Sequence, residues 1–154
     1  MRMLNVLFLC THNSARSILA EATLNHIGGG RFKAYSAGSS PRENQQPNPL
    51  GLQALREAGI PTEGLRSKSW DEFAAPGAPE MDLIITVCDD AAGEQCPYWP
   101  GHPATAHWGY ADPSAVQGTD DDRLRAFRRT LVAIRRRLDL LLALPLEGVE
   151  KLAL

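Results

Sequence analysis

Short apolar runs alternate with longer helical patterns along this chain. One apolar run covers residues 6–9, and a second lies within residues 82–87. Continuous runs of this length are typical of strands in a parallel sheet, which are buried on both faces. A further strand is predicted at residues 32–37, and a weaker strand pattern lies at residues 104–108. The pattern therefore predicts four strands.

Helical patterns separate the strands. The first covers residues 17–27 and is ended by the glycines at 28–30. In the second, Asn48 is a predicted cap, Pro49 occupies the first helical position, and Gly59 ends the helix. The stretch before this helix, residues 38–47, is rich in Ser, Pro and Asn, which favours a loop.

Two further helices are predicted in the second half of the chain. Ser69 and Glu72 have the spacing of a capping box and predict a short helix. The longest helix begins at Asp120 and ends before Pro145. It has an apolar stripe made of Leu124, Phe127, Leu131, Ile134, Leu138 and Leu141.

The polar face of this last helix is rich in arginine. We expect these side chains to face solvent. They are Arg128, Arg129, Arg135, Arg136 and Arg137.

Strands that alternate with helices predict a parallel sheet with right-handed crossovers. The expected winding is flavodoxin-like, with strand order 2-1-3-4 and helices on both faces. Ligands bind such sheets at the carboxyl ends of the strands. Cys10 follows the first strand and Cys88 follows the third, so both are predicted to face the same crevice. We predict a single α/β domain spanning residues 1–154.

Length and charge narrow the function classes. A chain of 154 residues suits one domain with one core, and a net charge of −2 shows no nucleic-acid footprint. No apolar stretch approaches the ~20 residues of a membrane span, and we recognise no signal peptide. The expected location is cytoplasmic, where thiols stay reduced. Three cysteines are an odd number, which argues against a structural disulfide framework.

Candidate chemistry begins where the first strand ends. Five small or polar residues separate Cys10 from Arg16, and a helical pattern follows at once. A loop at a helix N-terminus points unpaired N–H groups into one concavity and adds the positive end of the helix dipole. Such a loop binds anions and favours a thiolate, while the planar guanidinium of Arg16 suits two oxygens of a tetrahedral oxyanion. The predicted binding residues are Thr11, His12, Asn13, Ser14, Ala15, Arg16 and Ser17.

A nucleophile inside an oxyanion site predicts attack on the bound anion. The alternative interpretation is a buried cysteine at the end of a strand, beside a helix-capping Asn13 or Ser14.

The other two cysteines follow the third strand. Cys88 and Cys96 are separated by seven polar or small residues. Two thiols on a polar loop beside a nucleophilic thiolate suggest a redox relay, and the alternative is two unrelated cysteines. A zinc site formed with His102 and His107 is disfavoured, because the spacing fits no common zinc pattern.

Residues 10–17 resemble the phosphate loop of low-molecular-weight protein tyrosine phosphatases, and more closely that of arsenate reductases built on the same fold. The resemblance extends over residues 4–142. It implies that Cys10 attacks the anion and that Cys88 and Cys96 are the second and third cysteines of a reductase. Their separation is one residue longer than in the thioredoxin-linked members.

Residues 107–113 resemble the acid loop of this family. The resemblance implies that Asp112 is the general acid, which the leaving oxygen needs because hydroxide leaves poorly. The alternative role of an Asp-Pro pair is a turn. The phosphatases place aromatic residues after this pair to hold phosphotyrosine, whereas Ser114 and Ala115 follow here.

The resemblance also implies cofactors and partners. Oxygen ligands of a potassium site in some reductases match Asn13, Glu21, Ser36 and Asp71. The expected substrates are arsenate and other tetrahedral oxyanions, with thioredoxin or glutathione with glutaredoxin as the external thiol reductant. No nucleic acid or membrane partner is expected.

Three hypotheses follow. The first is a cytoplasmic arsenate reductase that works through Cys10 and a resolving thiol. The second is a phosphatase that hydrolyses phosphate monoesters through a Cys10 phosphoenzyme. The third is a non-catalytic module that binds oxyanions or phosphoproteins. Cys88 separates the first two hypotheses, because hydrolysis does not require it, and the presence of both a nucleophile and an acid opposes the third.

Overall fold

The computed structural model describes residues 3–88 and 104–144. In these ranges the strands β1 (Leu4–Cys10), β2 (Phe32–Gly38), β3 (Leu83–Thr86) and β4 (Ala104–His107) form one sheet. Every pair of neighbours is parallel and the order is β2-β1-β3-β4, which confirms the predicted winding. The carboxyl ends of β1 and β3 are therefore adjacent.

The helices are α1 (Arg16–Ile27), α2 (Pro49–Glu57), α3 (Asp71–Ala74) and α4 (Asp120–Leu142). A short 3₁₀ turn, Pro113–Ala115, precedes α4. No helix within the described ranges is both long and apolar enough to cross a bilayer.

Alternate residues of β1 supply the two faces of the core. Val6 and Phe8 belong to the larger apolar cluster, to which α1, α2 and α4 contribute. Leu7 and Leu9 belong to a smaller cluster on the other face, against which Phe73 of α3 packs. Because both faces of β1 are covered, the side chains of residues 6–9 are fully buried, as the continuous apolar run predicts.

The ends of the longest helix are tied by hydrogen bonds. At its start, Thr119 Oγ1 accepts from the Asp122 amide at 3.1 Å, and the Thr119 amide donates to Asp122 Oδ2 at 3.1 Å. At its end, the Arg31 guanidinium donates to the carbonyl of Leu142, the last residue of α4, and to that of Leu144. Pro145, the predicted terminator, lies outside the described residues.

The predicted capping box at Ser69 is not formed, because the N-cap of α3 is Trp70 and no side chain caps this helix. Ser69 Oγ accepts from the Asp71 amide at 3.1 Å, whereas the Glu72 amide donates to the Ser69 carbonyl. The Glu72 carboxylate instead pairs with Arg66 at 2.6 Å. An ion pair with a neighbouring loop has replaced the reciprocal half of the motif.

Candidate active site

The sulfur of Cys10 lies inside the loop that joins β1 to α1. Cys10 is only 3% exposed. The Asn13 amide donates to its Sγ at 3.2 Å, and Ser17 Oγ lies 2.9 Å from the same atom. Donors directed at the sulfur stabilise negative charge on it. The loop therefore has the geometry of a nucleophile site, and we call residues 10–17 the phosphate loop.

The first turn of α1 carries no side-chain cap. Its N-cap residue is Ala15, which has no side-chain oxygen to offer, so the alternative of a capping Asn13 or Ser14 is wrong. The backbone amides at this helix end can therefore donate hydrogen bonds to a bound anion.

Asn13 holds the phosphate loop in shape. Its φ of 57° lies in the left-handed region, which a non-glycine residue adopts only when its surroundings fix it. Its Nδ2 donates to Ser17 Oγ at 2.7 Å and to Ser36 Oγ at 2.9 Å, and its Oδ1 accepts from the Lys68 amide at 2.9 Å. Because Ser17 Oγ accepts from Asn13, its own proton is available to Cys10.

Gly38 is a second support of this loop, and sequence reasoning missed it. It pairs with Cys10 across the sheet. A Cβ at this position would lie 2.5 Å from the Thr11 carbonyl oxygen and 3.0 Å from the Asn13 amide nitrogen. Only glycine lets β2 approach the loop so closely. The signal available in the sequence was a glycine at the carboxyl end of the neighbouring strand.

Arg16 joins the phosphate loop to the acid loop, residues 107–113. Its side chain is 7% exposed, and Nη2 lies 3.8 Å from Asp112 Oδ2. Its Nη1 donates to the Tyr110 carbonyl at 3.0 Å. Asp112 Oδ1 accepts from the Ser114 amide at 2.9 Å and from its hydroxyl at 2.7 Å. Asp112 thus has a turn role through one oxygen and faces Arg16 with the other.

The acid loop is also held from α4. The Arg137 guanidinium lies 5.3 Å from the centroid of the Tyr110 ring and 5.9 Å from that of Trp108. The prediction that Arg137 simply faces solvent is therefore incomplete, because aromatic faces attract this cation. Burial raises the pKa of the Tyr110 hydroxyl, and the charge of Arg137 opposes that shift.

A cavity of about 510 Å³ opens beside Cys10, Arg16 and Asp112. Its opposite wall is the loop before α2, where Asn44 has a φ of 59°. Most of its lining residues are polar. They are Cys10, His12, Asn13, Ser14, Ala15, Arg16, Arg42, Glu43, Asn44, Gln45, Gln46, Pro47, Asn48, Pro49, Asp112 and Ser114.

Three of the four residues matched to a potassium site lie together behind the phosphate loop. Ser36 Oγ donates to Glu21 Oε1 and accepts from Asn13. Asp71 is exposed at the start of α3 and takes no part in these bonds. Lys68, which sequence reasoning missed, lies there instead: its Nζ donates to the Ser36 carbonyl at 2.9 Å and is 3.9 Å from Glu21 Oε1.

Both charged groups of this cluster are largely buried, with side chains 7% exposed for Lys68 and 15% exposed for Glu21. Burial is the largest influence on each: it raises the pKa of Glu21 and lowers the pKa of Lys68. Their mutual attraction works against both shifts without cancelling them. No local pattern marks Lys68 in the sequence, because it reaches the cluster only through the packing of the loop that precedes α3.

Cys88 lies two residues after the end of β3 and is fully buried. It is disulfide-bonded, while Cys10 is a free thiol. The partner of Cys88 lies outside the described residues, as do Cys96 and His102. Of the remaining residues in the zinc alternative, His107 has its Nδ1 2.7 Å from Thr86 Oγ1.

Known proteins resemble this chain over most of its length. The family of low molecular weight phosphotyrosine protein phosphatases matches residues 5–152. An arsenate reductase of Bacillus subtilis (strain 168) is 38% identical over 133 residues, which cover 86% of this chain and 91% of the relative.

Solved structures of arsenate reductases are also similar to this chain. The arsenate reductase of Archaeoglobus fulgidus superimposes with a TM-score of 0.72 at 29% identity, covering 90% of this chain and 99% of the other. A thioredoxin-dependent arsenate reductase of Corynebacterium glutamicum superimposes with a TM-score of 0.56 at 25% identity, covering 90% of this chain and 63% of the other.

Proposed function

The chain belongs to the low molecular weight phosphotyrosine protein phosphatase family, and from this premise we propose that it reduces arsenate to arsenite with Cys10 as the nucleophile. Similarity to the arsenate reductase of Bacillus subtilis supports arsenate over a phosphate ester as the substrate. The observation that carries the proposal is the placement of Cys10 Sγ, which accepts a hydrogen bond from the Asn13 backbone amide at 3.2 Å. This sulfur lies in a loop that leads into α1, and no side chain caps the start of that helix.

In the first step, the Cys10 thiolate attacks the arsenic atom of arsenate. The loop amides and Arg16 hold the other oxygens, which lowers the cost of the charge that develops on them. A sulfur–arsenic bond forms and one arsenic–oxygen bond breaks. Asp112 supplies the proton with which the departing oxygen leaves as water.

In the second step, another thiolate attacks the Cys10 sulfur. A disulfide forms, the sulfur–arsenic bond breaks, and its electron pair stays on arsenic. Arsenic is thereby reduced from the +5 to the +3 state, two thiols are oxidised, and arsenite leaves.

We assign the second thiol to Cys88, with Cys96 able to take over the resulting disulfide. This assignment is supported by the disulfide bond of Cys88 and the free thiol of Cys10, which is the arrangement expected once a Cys10–Cys88 disulfide has passed to a third cysteine. An external thiol must then reduce the protein. Thioredoxin is our first candidate, since one structural relative is thioredoxin-dependent, and glutathione with glutaredoxin is the second. The cytoplasmic location stays a prediction.

The test is a single-turnover assay. Fully reduced protein receives one equivalent of arsenate without added thiol, and arsenite and remaining thiols are counted. We expect one arsenite and the loss of two thiols per chain, and neither for Cys10→Ser. Rapid hydrolysis of p-nitrophenyl phosphate with no arsenite would instead favour the phosphatase. Anion binding with neither reaction would favour the binding module.

A further inference from the structure

The oxygen-rich cluster behind the phosphate loop already contains a cation, the ammonium group of Lys68. It donates to the Ser36 carbonyl at 2.9 Å and lies 3.9 Å from Glu21 Oε1. The side chains of Lys68 and Glu21 are 7% and 15% exposed. A potassium ion bound to these oxygens would compete with the ammonium for the same place. The residues present therefore do not fit a resident potassium ion.

The cluster is connected to the nucleophile by continuous hydrogen bonds. Glu21 accepts from the Ser36 hydroxyl, and Ser36 Oγ accepts from Asn13 Nδ2 at 2.9 Å. The amide of Lys68 donates to Asn13 Oδ1 at 2.9 Å. The Asn13 amide in turn donates to Cys10 Sγ at 3.2 Å. Asn13 is thus fixed on both sides of its carboxamide while its backbone is held at a positive φ.

We propose that Lys68 is a positioning residue that takes the place of a bound potassium ion: its ammonium neutralises Glu21 and keeps Asn13 directed at the Cys10 sulfur. This inference rests on Cys10 being the nucleophile of the proposed function, but it does not depend on which oxyanion reacts.

Loss of the ammonium has a definite electrostatic consequence. The Glu21 carboxylate would stay largely buried, and the cation still acting on it would be the exposed guanidinium of Arg66, which pairs with Glu72. A buried carboxylate without a close cation is costly. Burial already raises its pKa with Lys68 in place, so its unpaired charge would be harder still to keep. An external cation that accepts oxygen ligands, such as potassium, could then enter between Glu21 and the Ser36 carbonyl.

The experiment measures alkylation of Cys10 by iodoacetamide, quantified on the Cys10 peptide, in potassium, sodium and choline chloride of equal ionic strength. Lys68→Met should slow alkylation about tenfold in choline chloride, the scale of one unmade buried charge-assisted hydrogen bond. Potassium should restore most of the rate and sodium less. Wild type and Lys33→Met, which removes a lysine on the exposed side of β2, should be indifferent to the cation.

A second variant and a second readout separate positioning from misfolding. Lys68→Gln should behave like Lys68→Met, and potassium should raise the melting temperature of both variants in a saturable way, since binding to the native state stabilises it. Adding Glu21→Gln to Lys68→Met should abolish the potassium effect on both readouts.

Two outcomes would overturn the inference. One is that Cys10 is alkylated at the wild-type rate in both Lys68 variants in choline chloride. The other is a saturable effect of potassium on the rate of Cys10 alkylation or on the melting temperature of the wild type. This second outcome needs only the wild-type protein, so it tests the inference even if the variants fail to fold. Failure of wild type to reduce arsenate, with the Lys68 results as expected, would reject the proposed substrate and leave this inference standing.

Discussion

Two pairs of opposite charge flank the phosphate loop, and they differ in how far water reaches them. The front pair is Arg16 and Asp112, 3.8 Å apart with side chains 7% and 38% exposed. The back pair is Lys68 and Glu21, 3.9 Å apart and 7% and 15% exposed. The separations are almost equal, so exposure and not distance distinguishes them. The Asp112 side chain is open to solvent, as the general acid of the proposed mechanism requires, whereas burial shields Glu21 from solvent.

The largest effect should come from Arg16→Lys in the front pair. Lysine keeps the charge but cannot hold two oxygens in one plane. We expect arsenate turnover to fall about 10²–10³-fold, the cost of losing one donor to a developing oxyanion. Steady-state kinetics with a reducing system measures it. A variant with near-native turnover would show that Arg16 serves only to hold the Tyr110 carbonyl.

Asp112→Asn should have the next largest effect. It removes the proton donor and should lower turnover about 100-fold. Oxyanion binding should be unchanged or slightly tighter, since a negative charge near the anion is lost. Turnover can be compared with phosphate protection of Cys10 against alkylation. Unchanged turnover across the acidic range would assign Asp112 to its turn role with Ser114 alone.

Arg137→Ala tests whether α4 holds the front pair in place. Loss of its contacts with Trp108 and Tyr110 should loosen the acid loop and lower turnover about two- to fivefold, as expected for an exposed cation–π contact. The control is Arg136→Ala, an exposed neighbour on the same helix. Equal losses in both variants would indicate a general effect of charge on α4.

The back pair should reveal itself in the pH dependence of stability. Because burial raises the pKa of Glu21, its contribution to stability is fully present below the unfolded value of 4.5. That contribution is lost as the pH rises through the folded value. Relative to Glu21→Gln, the free energy of unfolding of the wild type should fall as the pH rises from 4.5 to the folded pKa of Glu21, and it should then stay constant. Urea unfolding of both proteins at several pH values measures it, and a difference that does not vary with pH would contradict the assignment.

The sequence predicts the front of the site better than the back for a physical reason. Cys10, Arg16 and Asp112 belong to short motifs whose chemistry depends on local spacing. Lys68 reaches Glu21 and Ser36 only because the segment before α3 pairs with the end of β2, where the Gly38 amide donates to the Lys68 carbonyl at 2.9 Å. Local patterns carry no information about that contact.

The strands and their order in the sheet were predictable from the sequence, whereas some contacts between segments were not. Continuous apolar runs predicted β1 and β3, and the alternation of strands with helices predicted the sheet order. Sequence patterns did not predict the close approach of Gly38 to the phosphate loop. The capping box at Thr119 was also not predicted, although Thr119 and Asp122 have the spacing of that motif. The relay beyond Cys88 stays a prediction, because Cys96 lies outside the described residues.

The most direct test of the central claim is disulfide mapping by peptide mass spectrometry after one equivalent of arsenate reacts with fully reduced protein, without added thiol. We predict that a disulfide containing Cys88 forms in wild type in proportion to the arsenite released. Cys88→Ser should form none, and it should still hydrolyse an aryl phosphate if the wild type does. Wild-type protein that hydrolyses the aryl phosphate but forms no disulfide and releases no arsenite would contradict the account.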